Sequence, residues 1–512
     1  MNRLRHLVLT ALLLGVAAPA VYAGGSPVED VPLDSWVYDA IFELSSRGHF
    51  DNLLLHTRPY SRGDVAEGLR SLDQTGAILA PGTRDLVARL QKEFTEELGA
   101  DSGESEKEYA RLGGGPTGRI DQYRHGFHSN RIGFDALASV GVGKRVAARV
   151  RLRVDSDGRG DSTFHGEYWK EKFTAWIDQA VLTASVWRLR IAFGREFWRW
   201  GRSPVDAMLI SDQSPPFDGL RASYRSRRWA FVFCATMLDS MVVEGGPAAR
   251  RYLIGHRLDW RPRPNLEVAV SEVIVFGGPG RPWALNYLNP FVPYYWEQLN
   301  NDTNDNPLWN LEASWRPQRN LEFYGEWFID DFQIDFKSEP QQIGVLIGGA
   351  LSTGPEGRLF LNAEYQRINT FVYGQGKPHN RYYHHRDLNG QLIGIGSDLG
   401  PDADRITFRP KWRHSRHLDI TGLLEHIRRG ADRIDSLQQT AVPKNVPFPS
   451  GTVEGRTTVG IGAHLQDGGR LIADLMGGYE TVSNIENEAG RDRHGIVLRA
   501  RVSVLFWTTL GI

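Results

Sequence analysis

A single cysteine among 512 residues excludes an intrachain disulfide. It lies in the apolar run Trp229-Ala230-Phe231-Val232-Phe233-Cys234, where a buried, inert thiol is expected. Net charge is nearly absent. The 60 Lys and Arg balance 61 Asp and Glu to leave −1, which excludes nucleic-acid binding by bulk charge. Long hydrophobic runs are scarce. Beyond residue 23 none reaches the roughly 18 apolar residues of a spanning helix. Catalytic signatures are also missing: there is no G-x-S-x-G, no H-E-x-x-H and no phosphate loop. The expectation is a protein without enzymatic activity, cofactor or metal. His379, His384 and His385 share one long loop with Arg381, Arg386 and Asp387, without a Cys partner or a helical i, i+4 pair, and read as solvated.

What is present is ordered in three parts. Asn2-Arg3-Leu4-Arg5-His6, the apolar run from Leu7 to Ala18 and the small-residue site Val21-Tyr22-Ala23 read as a signal peptide over 1–23. In 24–116 apolar residues recur at helical spacing. Trp36, Ala40, Ile41 and Leu44 precede Gly48 as a C-cap, Ser61 caps a helix through Val65, Leu69 and Leu72, and Pro81 opens another through Leu86, Leu90 and Phe94. Residues 99–118, rich in Gly, Glu and Asp, read as a linker. A helical domain of about 80 residues is marginal alone, so it should pack on something larger.

From 117 to 512 the period is two. In Leu321-Glu322-Phe323-Tyr324-Gly325-Glu326-Trp327 the acids share one face. In Thr407-Phe408-Arg409-Pro410-Lys411-Trp412-Arg413 the bases oppose Phe, Pro and Trp. Short connections, such as Pro317-Gln318-Arg319, alternate with long ones near 155–172, 199–218, 277–307 and 370–404. Aromatic content of 11%, with 15 Trp, suits interfacial girdles. The fold class expected is an all-β transmembrane barrel of about 18 antiparallel strands, with a small N-terminal α-helical periplasmic domain. Its first strand is expected over Thr117 to Tyr123. Such a barrel places the protein in the outer membrane of a Gram-negative-type bacterium, with outer-membrane lipid and the barrel-insertion machinery as partners, and a monomer is expected.

Several motifs resemble the Wzi family of capsule-assembly outer-membrane proteins across essentially the whole mature chain. They are Val31-Pro32-Leu33-Asp34-Ser35-Trp36, Thr57-Arg58-Pro59-Tyr60-Ser61-Arg62, Gly194-Arg195 with Trp200-Gly201, Pro215-Pro216-Phe217-Asp218-Gly219-Leu220, and Tyr287-Leu288-Asn289-Pro290-Phe291-Val292-Pro293. The resemblance implies an 18-stranded barrel with a periplasmic helical bundle, and a lectin-like role in holding capsular or exopolysaccharide. The chain departs from a usual barrel terminus in that Phe506 and Trp507 are followed by Thr508-Thr509-Leu510-Gly511-Ile512. Trp36, Ala40, Gly48 and Arg62 also resemble one surface-layer-homology repeat, which implies cell-wall binding as a competing role.

Polysaccharide recognition needs flat apolar faces and convergent polar groups. Asn286, Asn289, Tyr294, Tyr295, Trp296 and Glu297 offer both in one long loop, and Trp200 and Asp212 add to them from another. The bland alternative is that these aromatics pack loops together or sit in the lipid headgroup girdle. The lumen ladder of Arg409, Lys411 and Arg413 against Glu322 and Glu326 would attract an acidic glycan, filter anions or, signs being balanced, brace the bore with salt bridges. A porin or channel is the competing function.

Overall fold

The computed structural model describes residues 26–511, apart from 75–78, 100–107, 124–127, 159–160, 162, 165, 170–172, 242–246, 332–339, 388–389, 437–445 and 468–469. The expected leader, 1–23, lies outside the described residues.

Helix α1 covers Val37–Ser46, α2 Arg62–Gln74, α3 Pro81–Glu93 and α4 Thr95–Gly99. The local signals act as expected. Gly48 adopts φ +90°, where a Cβ is disfavoured. Ser61 Oγ accepts the Asp64 N–H at 3.0 Å while the Asp64 carboxylate accepts the Ser61 N–H at 3.4 Å, a reciprocal cap. Ile41, Leu44, Val65, Leu69, Leu86 and Leu90 close a small core of their own.

The rest is a closed antiparallel barrel. Its strands are β1 Tyr109–Tyr123, β2 His128–Val142, β3 Val146–Asp155, β4 Thr174–Val186, β5 Leu189–Glu196 and β6 Phe217–Arg225. Then follow β7 Trp229–Met241, β8 Ala249–Arg263, β9 Leu266–Pro279, β10 Asn306–Gln318, β11 Leu321–Asp331 and β12 Gln342–Thr353. The circuit ends with β13 Leu359–Ile368, β14 Ala403–Arg413, β15 Leu418–Arg429, β16 Glu454–Asp467, β17 Leu471–Ser483 and β18, which runs Arg493–Val504 and, past Leu505, Phe506–Gly511. Both halves of β18 pair with β1, from Tyr123↔Val497 to Tyr109↔Gly511, and close the ring.

One boundary differs. The first strand begins at Tyr109, not Thr117, so much of the expected linker is barrel wall. Gly113-Gly114-Gly115 reads as flexible, yet a Cβ at Gly113 would strike the Trp507 ring and one at Gly115 the Val504 carbonyl. These glycines allow close backbone approach at the seam.

The alternation resolves as expected. Leu311 and Trp315 point outward and are 40% and 49% exposed, while Glu312 and Ser314 point inward and are buried. Ser314 is not free, however, because His56 Nε2 sits 2.9 Å from its Oγ. Thr421, facing a luminal chamber, is therefore the proper control for register. Leu311→Arg should cost about 2–4 kcal/mol in detergent unfolding and Thr421→Arg under about 1. Equal losses would refute the assigned faces.

Candidate functional site

Three segments fill the bore. From the short-turn end, α1 and the stretch after it reach mid-strand. Arg413 Nη1 and Lys411 Nζ contact the Glu43 carboxylate at 2.9 and 2.8 Å, and Arg47, the C-cap of α1, pairs with it one turn on. His56 Nδ1 lies 2.8 Å from Glu312 Oε2, and Thr57 Oγ1 donates to Asp259 Oδ2 at 2.6 Å. Burial alone would push the Glu43 carboxyl up, but Lys411, Arg413 and Arg47 hold it well below the usual carboxylate range.

The loop 197–216 descends from the long-loop end and meets this stretch. Thr57 and Arg58 pair with Trp200 and Arg199 as a two-stranded ladder inside the barrel. Arg202 Nε donates to Glu322 Oε1 at 2.7 Å, Ser203 Oγ to Glu364 at 2.6 Å and the Met208 N–H to Glu326 at 3.1 Å. The loop 369–402 lies on top. Tyr373 and Tyr382 hydroxyls donate to the Met208 and Leu209 carbonyls, each at 2.6 Å, and Arg251 from the wall donates to three of its carbonyls. Phe42, Trp198, Trp200, Met208, Tyr324, Phe328, Tyr373 and Tyr382 form one apolar core inside the lumen.

The sequence-predicted sugar site does not assemble. Trp200 is fully buried in the lumen, and Asp212 pairs with Arg199 at 2.7 Å. The loop containing 286–298 instead lies against the outside of the wall. Its helix α5, Tyr294–Asn300, has Tyr294 buried on His256, with ring centroids 4.5 Å apart. Tyr295 packs on Trp309, Trp296 is exposed, and Asn286 Nδ2 donates to Glu297 within the loop. Asn289 Oδ1 accepts the Phe291 N–H at 3.2 Å. Loop residues have no period to assign them a face, so one long loop folded inward and the other outward. A signal for the first was available: Ala207-Met208-Leu209-Ile210 is too apolar for a watery loop, and all four are buried. The luminal role of Tyr373, Tyr382 and Ile395 was missed as well.

The charge ladder resolves mostly as bracing. Glu322 and Glu326 hold the 197–216 loop, and Lys411 and Arg413 hold α1. Arg409 reaches only as far as the Pro204 carbonyl, at 3.5 Å. Two of the three expected solvated histidines are not solvated: His384 packs on Phe217 and His385 Nε2 lies 3.2 Å from the Phe164 carbonyl, both rings buried, while His379 is half-buried. Of the surface-layer-like residues, Arg62 is bound to Glu93 and Glu97, and Trp36 lies under Arg89. Inside the wall lies a chamber of ≈460 Å³ between Trp36, Arg89 and the β13–β18 and β1 wall. A neighbouring one of ≈380 Å³ shares Trp36, His464, Asp474 and Arg501 with it.

The profile of the family described as capsule assembly protein Wzi matches residues 121–495. The chain belongs to the Wzi family. Its fold matches the Wzi structure from Escherichia coli with a TM-score of 0.62 at 17% identity, over 94% of this chain and 100% of that one. That protein is described as a carbohydrate-binding β-barrel of the outer membrane involved in group 1 capsule assembly. OprD from Pseudomonas aeruginosa (TM-score 0.45, 10% identity, 79% of this chain and 94% of that) and OccAB1 from Acinetobacter baumannii (0.47, 10%, 79% and 99%) are also similar. A comparison with curated protein sequences finds no match. The closed barrel with its apolar outward band marks this Wzi-family protein as one of the outer membrane.

Proposed function

We propose that this Wzi-family barrel binds a surface polysaccharide non-covalently at its long-loop end and retains it at the cell, with no catalytic step. The observation that carries the reading is the filled bore. Segments from both ends interlock in the lumen and bond to the wall. A barrel of this strand number leaves a wide lumen unless it is filled, so a filled one is built to present a surface rather than to pass solute. The outer loops are that surface, the helical domain faces the periplasm, and the protein works as a monomer inserted by the barrel machinery. The carbohydrate-binding E. coli relative supports glycan as the ligand class. Single stacking and hydroxyl contacts are weak, so affinity should climb with polymer length through multivalency.

Deleting the gene and comparing cell-bound with released polysaccharide tests this. Glycan should move from the cell fraction into the medium. Unchanged retention with reduced small-solute uptake would favour the porin reading, and detachment of the envelope from the wall would favour the surface-layer-like repeat.

A further inference from the structure

We infer that residues 280–305 form a strap on the lipid-facing side of the wall, and that acyl chains of the outer leaflet cover its exposed face. The inference depends on the outer-membrane barrel, not on polysaccharide binding.

The argument begins with parity. On β8 and β9, Arg257, Asp259, Ser271 and Val273 face the lumen, so His256 and Glu272 face away from it. They are partners in register, with His256 Nε2 3.2 Å from Glu272 Oε2. The same row continues through Trp309, Ile329 and Ile343. The row nearer the short turns holds Leu258, Val270, Leu311 and Trp327, each 40–46% exposed, which is the lipid band. A row drifts only about 3 Å in height per strand at ordinary barrel tilt. An ionisable pair thus stands where neighbouring strands present only apolar side chains, a costly place for it.

The strap covers that pair. The N–H groups of Tyr294 and Tyr295 donate to the two Glu272 oxygens at 3.0 and 2.9 Å, and the Tyr294 ring covers His256. Above the pair, Tyr252, Ile254, Ile274 and Phe276 form a dry cluster with Tyr287 and Tyr294 on the outside of the barrel. Phe291 stacks on the outward Phe231 at 5.5 Å.

The strap also exposes large apolar side chains, with its exposed polar residues gathered mostly at 300–304. Leu285 and Phe291 are each 79% exposed, Trp296 64% and Leu299 59%. Four large apolar side chains do not crowd onto one short segment to meet water. They continue the band of Leu258, Val270 and Leu311, and that continuity identifies lipid as the occupant. Short turns face the periplasm in such barrels, so the leaflet is the outer one. The strap thereby restores an apolar outer surface over a polar patch of wall.

The test uses the full-length protein in liposomes, with a bimane label on Phe291→Cys, on Trp296→Cys and, as a polar control on α5, on Asn301→Cys. Cys234 is buried, and unlabelled wild type checks its silence. Brominated acyl chains should quench the labels at 291 and 296 at least about twofold more than the label at 301, and aqueous iodide should show the reverse order. Iodide quenching at 291 and 296 equal to that at 301 would overturn the proposal. Shielding of 291 and 296 from both quenchers would also overturn it, since a second protein would then cover the face. Should either cysteine variant fail to fold, the difference in bromolipid quenching between wild type and Trp296→Phe supplies the same reading without a label.

Discussion

Glu43→Ala should loosen the helical domain from the barrel by about 3–5 kcal/mol, the expected loss when one partner of a buried ion cluster is removed. Its carboxylate is buried and holds Arg47, Lys411 and Arg413 together. Without it buried Arg47 and half-buried Lys411 lose the carboxylate they share, and Arg413 is left with Asp419 at 3.1 Å. Limited proteolysis should release the N-terminal helices from the variant but not from wild type, and urea should undock them at lower concentration. Acid should imitate the mutation. The folded-state value of Glu43 lies below its unfolded one, so its contribution is complete above the normal carboxylate range near pH 4 and falls away as pH drops further. A variant as resistant as wild type at neutral pH would remove Glu43 from the docking role.

The second large effect concerns conductance. Wild-type protein in planar bilayers should give no large steady current. Excising residues 202–213 alone, or the helices alone, should leave the bore mostly shut, because Thr57–Arg58 and Arg199–Trp200 overlap inside it. Removing both together with residues 371–400 of the third segment, which Arg251 ties to the wall, should raise conductance at least about tenfold, toward that of an open barrel of this size. Large currents from the intact protein would reverse the functional reading and return the porin.

Strand faces and helix caps were legible because a period of two and a Ser61–Asp64 cap are local facts. The order of short and long connections located both rims for the same reason. The contents of the lumen were not legible, since their partners are remote in sequence. Glu43 meets Arg413 across 370 positions, and Arg202 meets Glu322 across 120. Balanced charge on the inner face pointed to bracing without naming what is braced. The placement of loop 286–298 was not legible for a different reason. Aromatics and amides suited to a sugar ring are equally suited to a lipid interface, and the His256 and Glu272 that the loop covers lie on strands remote from it in function though not in sequence.

The docking of α1 has a consequence for the order of assembly. Asp30 engages Arg190 and Arg221, Glu29 engages Arg149, and Glu43 engages Lys411 and Arg413. The N-terminal segment therefore finds its Glu43 partners only when β14 has joined the sheet, and the Asp419 partner of Arg89 only with β15. Its own small core can form early from local contacts, whereas seating it requires nearly the whole circuit and waits on the slowest, longest-range pairings. Until then the N-terminal helices carry an exposed row of charges, and the last event in maturation is the entry of this domain into a ring that has been built around its place.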